Sequence, residues 1–157
     1  MKKVCAILSI IVILFTFPMI SYADNSGATG ETDSCVKYYS DGSYTVTTIE
    51  TSDLSHLDTS TIKKTKHTTF YNSDNEKEWD ITVTGTFTYT GSSATCTNST
   101  VSYKIYDTHW KVTSSQASKS GRIAKGEFTL KRYFLGIPIK TDNETLTITC
   151  SNTGVCS

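Results

Sequence analysis

From Trp79 to Gly91 the chain alternates without a break. Trp79, Ile81, Val83, Gly85, Phe87 and Tyr89 take the odd positions, and Asp80, Thr82, Thr84, Thr86, Thr88 and Thr90 take the even ones. Successive side chains of a strand point to opposite faces, so the stretch predicts one long half-buried strand with an apolar inner face and a threonine outer face. Threonine suits an outer face because its β-branch fits a pleated surface while its hydroxyl stays hydrated. Gly85, in the middle, predicts a bulge or a close approach that bends the strand.

The same period recurs along the chain. Asp41-Gly42 is a turn before a Ser43–Ile49 strand, with Cys35–Ser40 as its hairpin partner. Thr51–Ser60 reads as a polar loop, although Leu54 and Leu57 stand three apart. Lys63–Tyr71 reads as a polar strand ending in two aromatics, closed by a turn at Asn72–Asn75. Ala94–Asn98 is a short piece carrying Cys96, and Val101, Tyr103 and Ile105 alternate after it. Trp110-Lys111-Val112 starts another strand, and Ser114–Gly121 reads as a serine-rich connection.

Two strong strands follow. In Ile123–Phe134, Ala124, Gly126, Phe128, Leu130 and Phe134 share one parity, interrupted by Arg132. Leu135-Gly136-Ile137-Pro138 is a tight connection, and in Thr145–Cys150 the residues Leu146, Ile148 and Cys150 point inward. No ten consecutive residues beyond the N-terminal apolar run carry helical periodicity. The pattern predicts an all-β chain forming a single antiparallel β-sandwich, with a small β-barrel as the alternative.

The first 23 residues stand apart. Lys2 and Lys3 precede an apolar run from Val4 to Ile20, and Ser21-Tyr22-Ala23 offers small residues where a signal peptidase cuts. Residues 1–23 are therefore expected to be a signal peptide, taking Cys5 with it, 24–34 a disordered polar leader, and 35–157 the secreted domain. The expected location is extracellular, with no membrane attachment after cleavage.

The formal net charge is zero, but it is unevenly spread. Asp24–Thr59 holds seven acids and one lysine; from Ser60 onward there are twelve basic residues and eight acids. The acidic part reads as a solvated leader. Four cysteines remain after export, Cys35, Cys96, Cys150 and Cys156, and an even number in an exported chain predicts two disulfides. Cys150 shares the inward parity of its strand and Cys96 follows the main aromatic face. That favours Cys96–Cys150 with Cys35–Cys156; Cys150–Cys156 with Cys35–Cys96 is the alternative.

The runs FTYTGSSATCTNSTVSY, HWKVTSSQASKSGRIAKGEFTLKR and TLTITCSNTGVCS resemble small secreted proteins of Gram-positive, clostridia-like gut bacteria, in families of unknown function. The resemblance spans roughly Lys66–Ser157 and rests on structural motifs: a strand–TYTG turn, a W-x-V strand, an ASKSG turn and a terminal ITC strand. It implies export and a β fold, and no catalytic or binding residue.

Candidate chemistry is sparse. His56, His67 and His109 lie in three separate segments, and there is no Gly-x-Ser-x-Gly elbow. Asp74, Glu76, Glu78 and Asp80 cluster around a turn, where they are expected to face the same water instead of opposing each other across a cleft as glycosidase carboxylates do. The better recognition feature is the basic stretch Ser99–Lys140, with Lys125, Lys131 and Tyr133 on one outer face of a strand as candidate ligand-binding residues. The resulting expectation is a secreted, non-enzymatic structural or interaction protein without cofactor or metal. Its partner would be an extracellular protein or a cell-envelope polymer, and not nucleic acid. The alternative is a surface-ligand, carbohydrate or anionic wall-polymer binding module.

Overall fold

A computed structural model describes residues 33–52 and 60–157. The expected signal peptide, nearly all of the expected leader, and Leu54, His56 and Leu57 lie outside the described residues. Every regular element among the described residues is a strand. They are β1 (Asp33–Tyr38), β2 (Tyr44–Ser52), β3 (Thr61–Tyr71), β4 (Lys77–Tyr89), β5 (Ala94–Ile105), β6 (Trp110–Ser120), β7 (Ile123–Phe134) and β8 (Ile137–Thr149). The chain is a continuous antiparallel meander split into two sheets, one of β1 to β5 and one of β6 to β8, each in sequence order.

The sheets face each other with β4 against β7 and β8, and β3 against β8. They converge at β5 and β6, where the Cys96 N–H donates to the Gly121 carbonyl at 2.7 Å. At the other side β1 and β8 are unpaired edges, so the structure is an open sandwich and not a barrel.

The core is the inward parity of β4, as the alternation predicts. Trp79, Ile81, Val83 and Phe87 are buried against Ala124, Phe128 and Leu130 of β7 and Leu146 and Ile148 of β8. Phe70 stacks on Trp79 with centroids 5.1 Å apart, and Trp110 meets both edge-on. Gly85 is a close approach: a Cβ there would lie 2.6 Å from the Phe87 ring and 2.8 Å from Ala124. Gly126 repeats the device on the facing sheet, where a Cβ would lie 2.8 Å from Val101 and 3.1 Å from Phe128. In both strands a phenylalanine two residues on lays its ring over the bare glycine, and the sheets can close together there.

Two segments differ from expectation, both because of bulges. Ala94–Asn98 is not a separate piece but the start of β5: Phe87 pairs with Cys96 and Thr86 with Asn98, which leaves Thr97 extra. Ser114–Gly121 is not a connection but most of β6, where the register shift between Val112 and Ser114 leaves Thr113 extra. Each extra residue reverses the inward parity partway along the strand, so no single alternation runs through it.

The favoured disulfide pairing of Cys96 with Cys150 and Cys35 with Cys156 is overturned. Cys150 bonds Cys156, and Cys35 and Cys96 are free. After β8 the chain doubles back through a Ser151–Val155 turn. Thr149 and Ser157 then exchange both backbone hydrogen bonds, at 2.9 and 3.0 Å, which sets Cys156 opposite Cys150. Cys35 and Cys96 sit on the two edge strands of the large sheet with three strands between them. That is roughly 19 Å of sheet, beyond disulfide reach.

Candidate binding cleft

The parity that is dry on β4 turns polar as it is followed across the large sheet. Val83 pairs with Lys66, and Lys66 with Ile49. The next rung runs Ile81, Thr68, Thr47, Cys35, and the one after it Trp79, Phe70, Thr45, Lys37. Each rung begins in the core; the first passes through Lys66 to Ile49, and the other two pass through threonine to Cys35 and Lys37. The three-stranded sheet is narrower: among the described residues β8 reaches β3, and no strand of the small sheet packs closely on β1 or β2. The uncovered floor and the β8 edge enclose a cleft of about 670 Å³.

The cleft is built from few interactions. The Lys66 Nζ donates across the gap to the Thr147 carbonyl at 3.1 Å, tying β3 to the free edge of β8. The Thr47 and Thr68 hydroxyls hydrogen-bond each other at 2.8 Å. The Lys37 ammonium lies 5.0 Å from the centre of the Tyr39 ring, and Tyr39 packs edge-on against Phe70. Ile49 and Leu146 supply apolar wall. From β8, Glu144 points into this space. Burial pushes its carboxyl above the ordinary value, Asp142 pushes it further, and Lys37 and Lys140 only partly offset the rise. A smaller cavity of about 180 Å³ shares Tyr39 and Glu144 with the cleft and is also lined by Trp79, whose buried indole N–H has no acceptor among the described residues.

A second groove, of about 450 Å³, lies at the opposite end of β8's sheet and holds Glu78, Asp107, His109 and Arg132. Glu78 corrects the sequence reading, because it does not share water with Asp74, Glu76 and Asp80. It is 2 % exposed. Phe70 pairs with Trp79 and Tyr71 with Lys77, so Glu78 is the extra residue of a bulge and turns inward beneath Trp110. The Trp110 Nε1–H donates to its carboxylate at 2.6 Å, and Arg132 stands 3.5 Å away. Asp107 holds His109 through the backbone N–H at 2.9 Å and the ring Nδ1 at 2.7 Å. Burial pushes Asp107 up, but those hydrogen bonds and the charges of His109 and Arg132 outweigh it and leave the carboxyl below its ordinary value. A histidine held by a carboxylate is two-thirds of a nucleophilic constellation. Among the described residues no Ser, Thr or Cys lines this groove to complete it.

The predicted ligand residues are divided. Lys125 is ion-paired to Glu127 at 2.7 Å. Lys131 lies six residues further along β7, roughly 20 Å away, paired with Lys111, whose ammonium sits 5.2 Å from the Tyr133 ring. His67 is on the outer face of β3, 3.5 Å from Asp80 and away from His109. No group of three His, Cys, Asp or Glu among the described residues could hold a metal ion.

Sequence reasoning did not single out Lys37, Lys66, Thr47, Thr68 or Glu144. One signal was present: Lys64, Lys66 and Thr68 share their parity with Ile62 and Phe70, so polar side chains sit where a covered strand would place apolar ones. No family model matches the chain, and no curated protein or solved structure matches it.

Proposed function

We propose that this is an exported, non-enzymatic binding protein whose site is the cleft between β1–β3 and β8, and that its ligand is a small hydroxyl-rich molecule carrying an anionic group. One observation carries the reading: the inner face of β1 to β3 is polar at the positions where a sandwich requires core. The cleft volume falls in the range of small-ligand sites, about 300–1,000 Å³. Lys37 and Lys66 supply positive charge, Thr45, Thr47 and Thr68 supply hydroxyls, and Ile49 and Leu146 supply apolar contact. Polyol phosphates and uronic acids, the monomers of anionic envelope polymers, have this chemistry.

Calorimetric titration with glycerol phosphate and with glucuronate tests the reading. Saturable binding is expected, weakened at least about tenfold by Lys66→Met through loss of a charge-assisted contact, and unchanged by Lys125→Glu. The proposal fails if neither compound binds, or if Lys125→Glu abolishes binding while Lys66→Met leaves it intact. The second outcome would move the site to the outer face of β7.

A further inference from the structure

The hairpin joining β7 and β8 ends in Phe134-Leu135-Gly136-Ile137-Pro138-Ile139. Four large apolar side chains stand in water there; Leu135 is 87 % exposed, Ile137 65 %, Ile139 60 % and Phe134 59 %. The turn places Leu135 at φ 49° and Gly136 at φ 80°. Left-handed backbone favours Gly, Asn or Asp, and a branched leucine is strained in it. Among the described residues Leu135 is left almost wholly exposed, so no packing there offsets the strain.

The tip also projects. β6 pairs with β7 only as far as Trp110 with Arg132, while the rungs Tyr133–Pro138 and Phe134–Ile137 continue past it. Behind the tip lies a cationic row. Lys111 pairs with Lys131 three residues below Phe134, about 10 Å from it, with Tyr133 under the Lys111 ammonium. Neither lysine has a carboxylate partner among the described residues. From Phe128 to Thr141 the sequence contains no acid.

We propose that this hairpin tip inserts into the interface of an anionic lipid membrane. Leu135, Phe134, Ile137 and Ile139 enter the acyl boundary, and Lys111 and Lys131 meet the headgroups. Interfacial elements bury their apolar part by about 5–10 Å with basic and aromatic residues at headgroup level, and the spacing between tip and lysine row matches that depth. A protein partner or a second copy would also cover an apolar tip. Neither calls for a lysine row without carboxylate partners set one headgroup depth behind it, so charge complementarity favours lipid. The inference departs from the expectation of no membrane contact after cleavage, and it does not depend on what the cleft binds.

Flotation of the full mature chain with vesicles tests it, using phosphatidylcholine alone and phosphatidylcholine with phosphatidylglycerol at seven to three. Binding is expected to the mixed vesicles at low salt and to fall steeply on pure phosphatidylcholine or at high salt. Leu135→Asn, which suits the left-handed backbone and so keeps the turn, should weaken binding roughly tenfold or more by removing one buried leucine. Lys131→Glu should weaken binding only to the anionic vesicles, about fivefold or more. The proposal is overturned by failure to bind the mixed vesicles, by binding that Leu135→Asn does not weaken, or by a concentration-dependent dimer that Leu135→Asn dissolves without any vesicle binding.

Discussion

β3 and β4 are neighbours, paired along their length but for the bulge at Glu78, and they present two different chemistries to one interior. The inward side of β4 is Trp79, Ile81, Val83 and Phe87; that of β3 is Phe70, Thr68, Lys66, Lys64 and Ile62. The difference follows from the opposite sheet. β4 lies beneath β7 and β8 and is dry, whereas the middle of β3 faces the margin of β8, where Lys66 is half-buried at the cleft and Thr68 and Lys64 are polar but buried. Where apolar area is removed from water it drives folding; where it cannot be, an apolar side chain gains nothing and a polar one keeps its hydration. The dry half therefore carries the stability, and the wet half is free to carry a site.

Substitutions separate the halves by size of effect. Phe87→Ala removes a buried ring that covers Gly85 and should cost about 3–5 kcal/mol in urea unfolding. Thr68→Val, on the cleft floor, breaks the hydroxyl pair with Thr47 and should cost only about 1 kcal/mol. If the two cost the same, the division of the interior is wrong.

Glu78 is a polar group on the dry side and should behave as one. Glu78→Ala leaves the buried Trp110 N–H without its acceptor and should cost about 1–3 kcal/mol. Glu78→Gln keeps an oxygen in place, and should recover more than half of that in the same unfolding measurement. Equal loss in both variants would make charge, through Arg132, the important part of the contact and not the hydrogen bond.

Lys66→Met tests the wet side from the opposite direction. It removes the bond to the Thr147 carbonyl but also relieves the desolvation of an ammonium, and the two should balance to within about 1 kcal/mol. Near-unchanged stability with lost ligand binding is the signature of a site residue. A large loss of stability would make Lys66 a strut between the sheets.

The dry half was legible in the sequence and the wet half was not. The parity of β4, of β7 from Ala124 to Leu130, and of β8 from Leu146 onward runs unbroken, so the inner face could be read directly. β5 and β6 hid behind single extra residues, Thr97 and Thr113, that switch the inward set midway. Glu78 was misplaced for the same reason, as the extra residue of a bulge. The cleft lies one level further from the sequence. Whether Lys66 on an inward parity is buried or wet depends on how far a three-stranded sheet reaches over a five-stranded one, and no local pattern encodes that.

Glu144→Gln gives the smallest effect and the finest test. The folded carboxyl sits above its ordinary value of 4.5, chiefly through burial. Between the ordinary and the raised value the folded chain holds a proton that the unfolded chain has released, so stability must fall as pH rises through that window. Below the window the penalty is absent; above it the penalty is complete. Unfolding of wild type and Glu144→Gln should therefore coincide well below the ordinary glutamate range and diverge as pH rises, with the variant the more stable at neutral pH. A variant less stable at neutral pH would mean that Lys37 and Lys140 hold Glu144 as an ion pair the fold requires. The polar floor would then be part of the framework, and the contrast between the two halves of the interior would not mark a binding site.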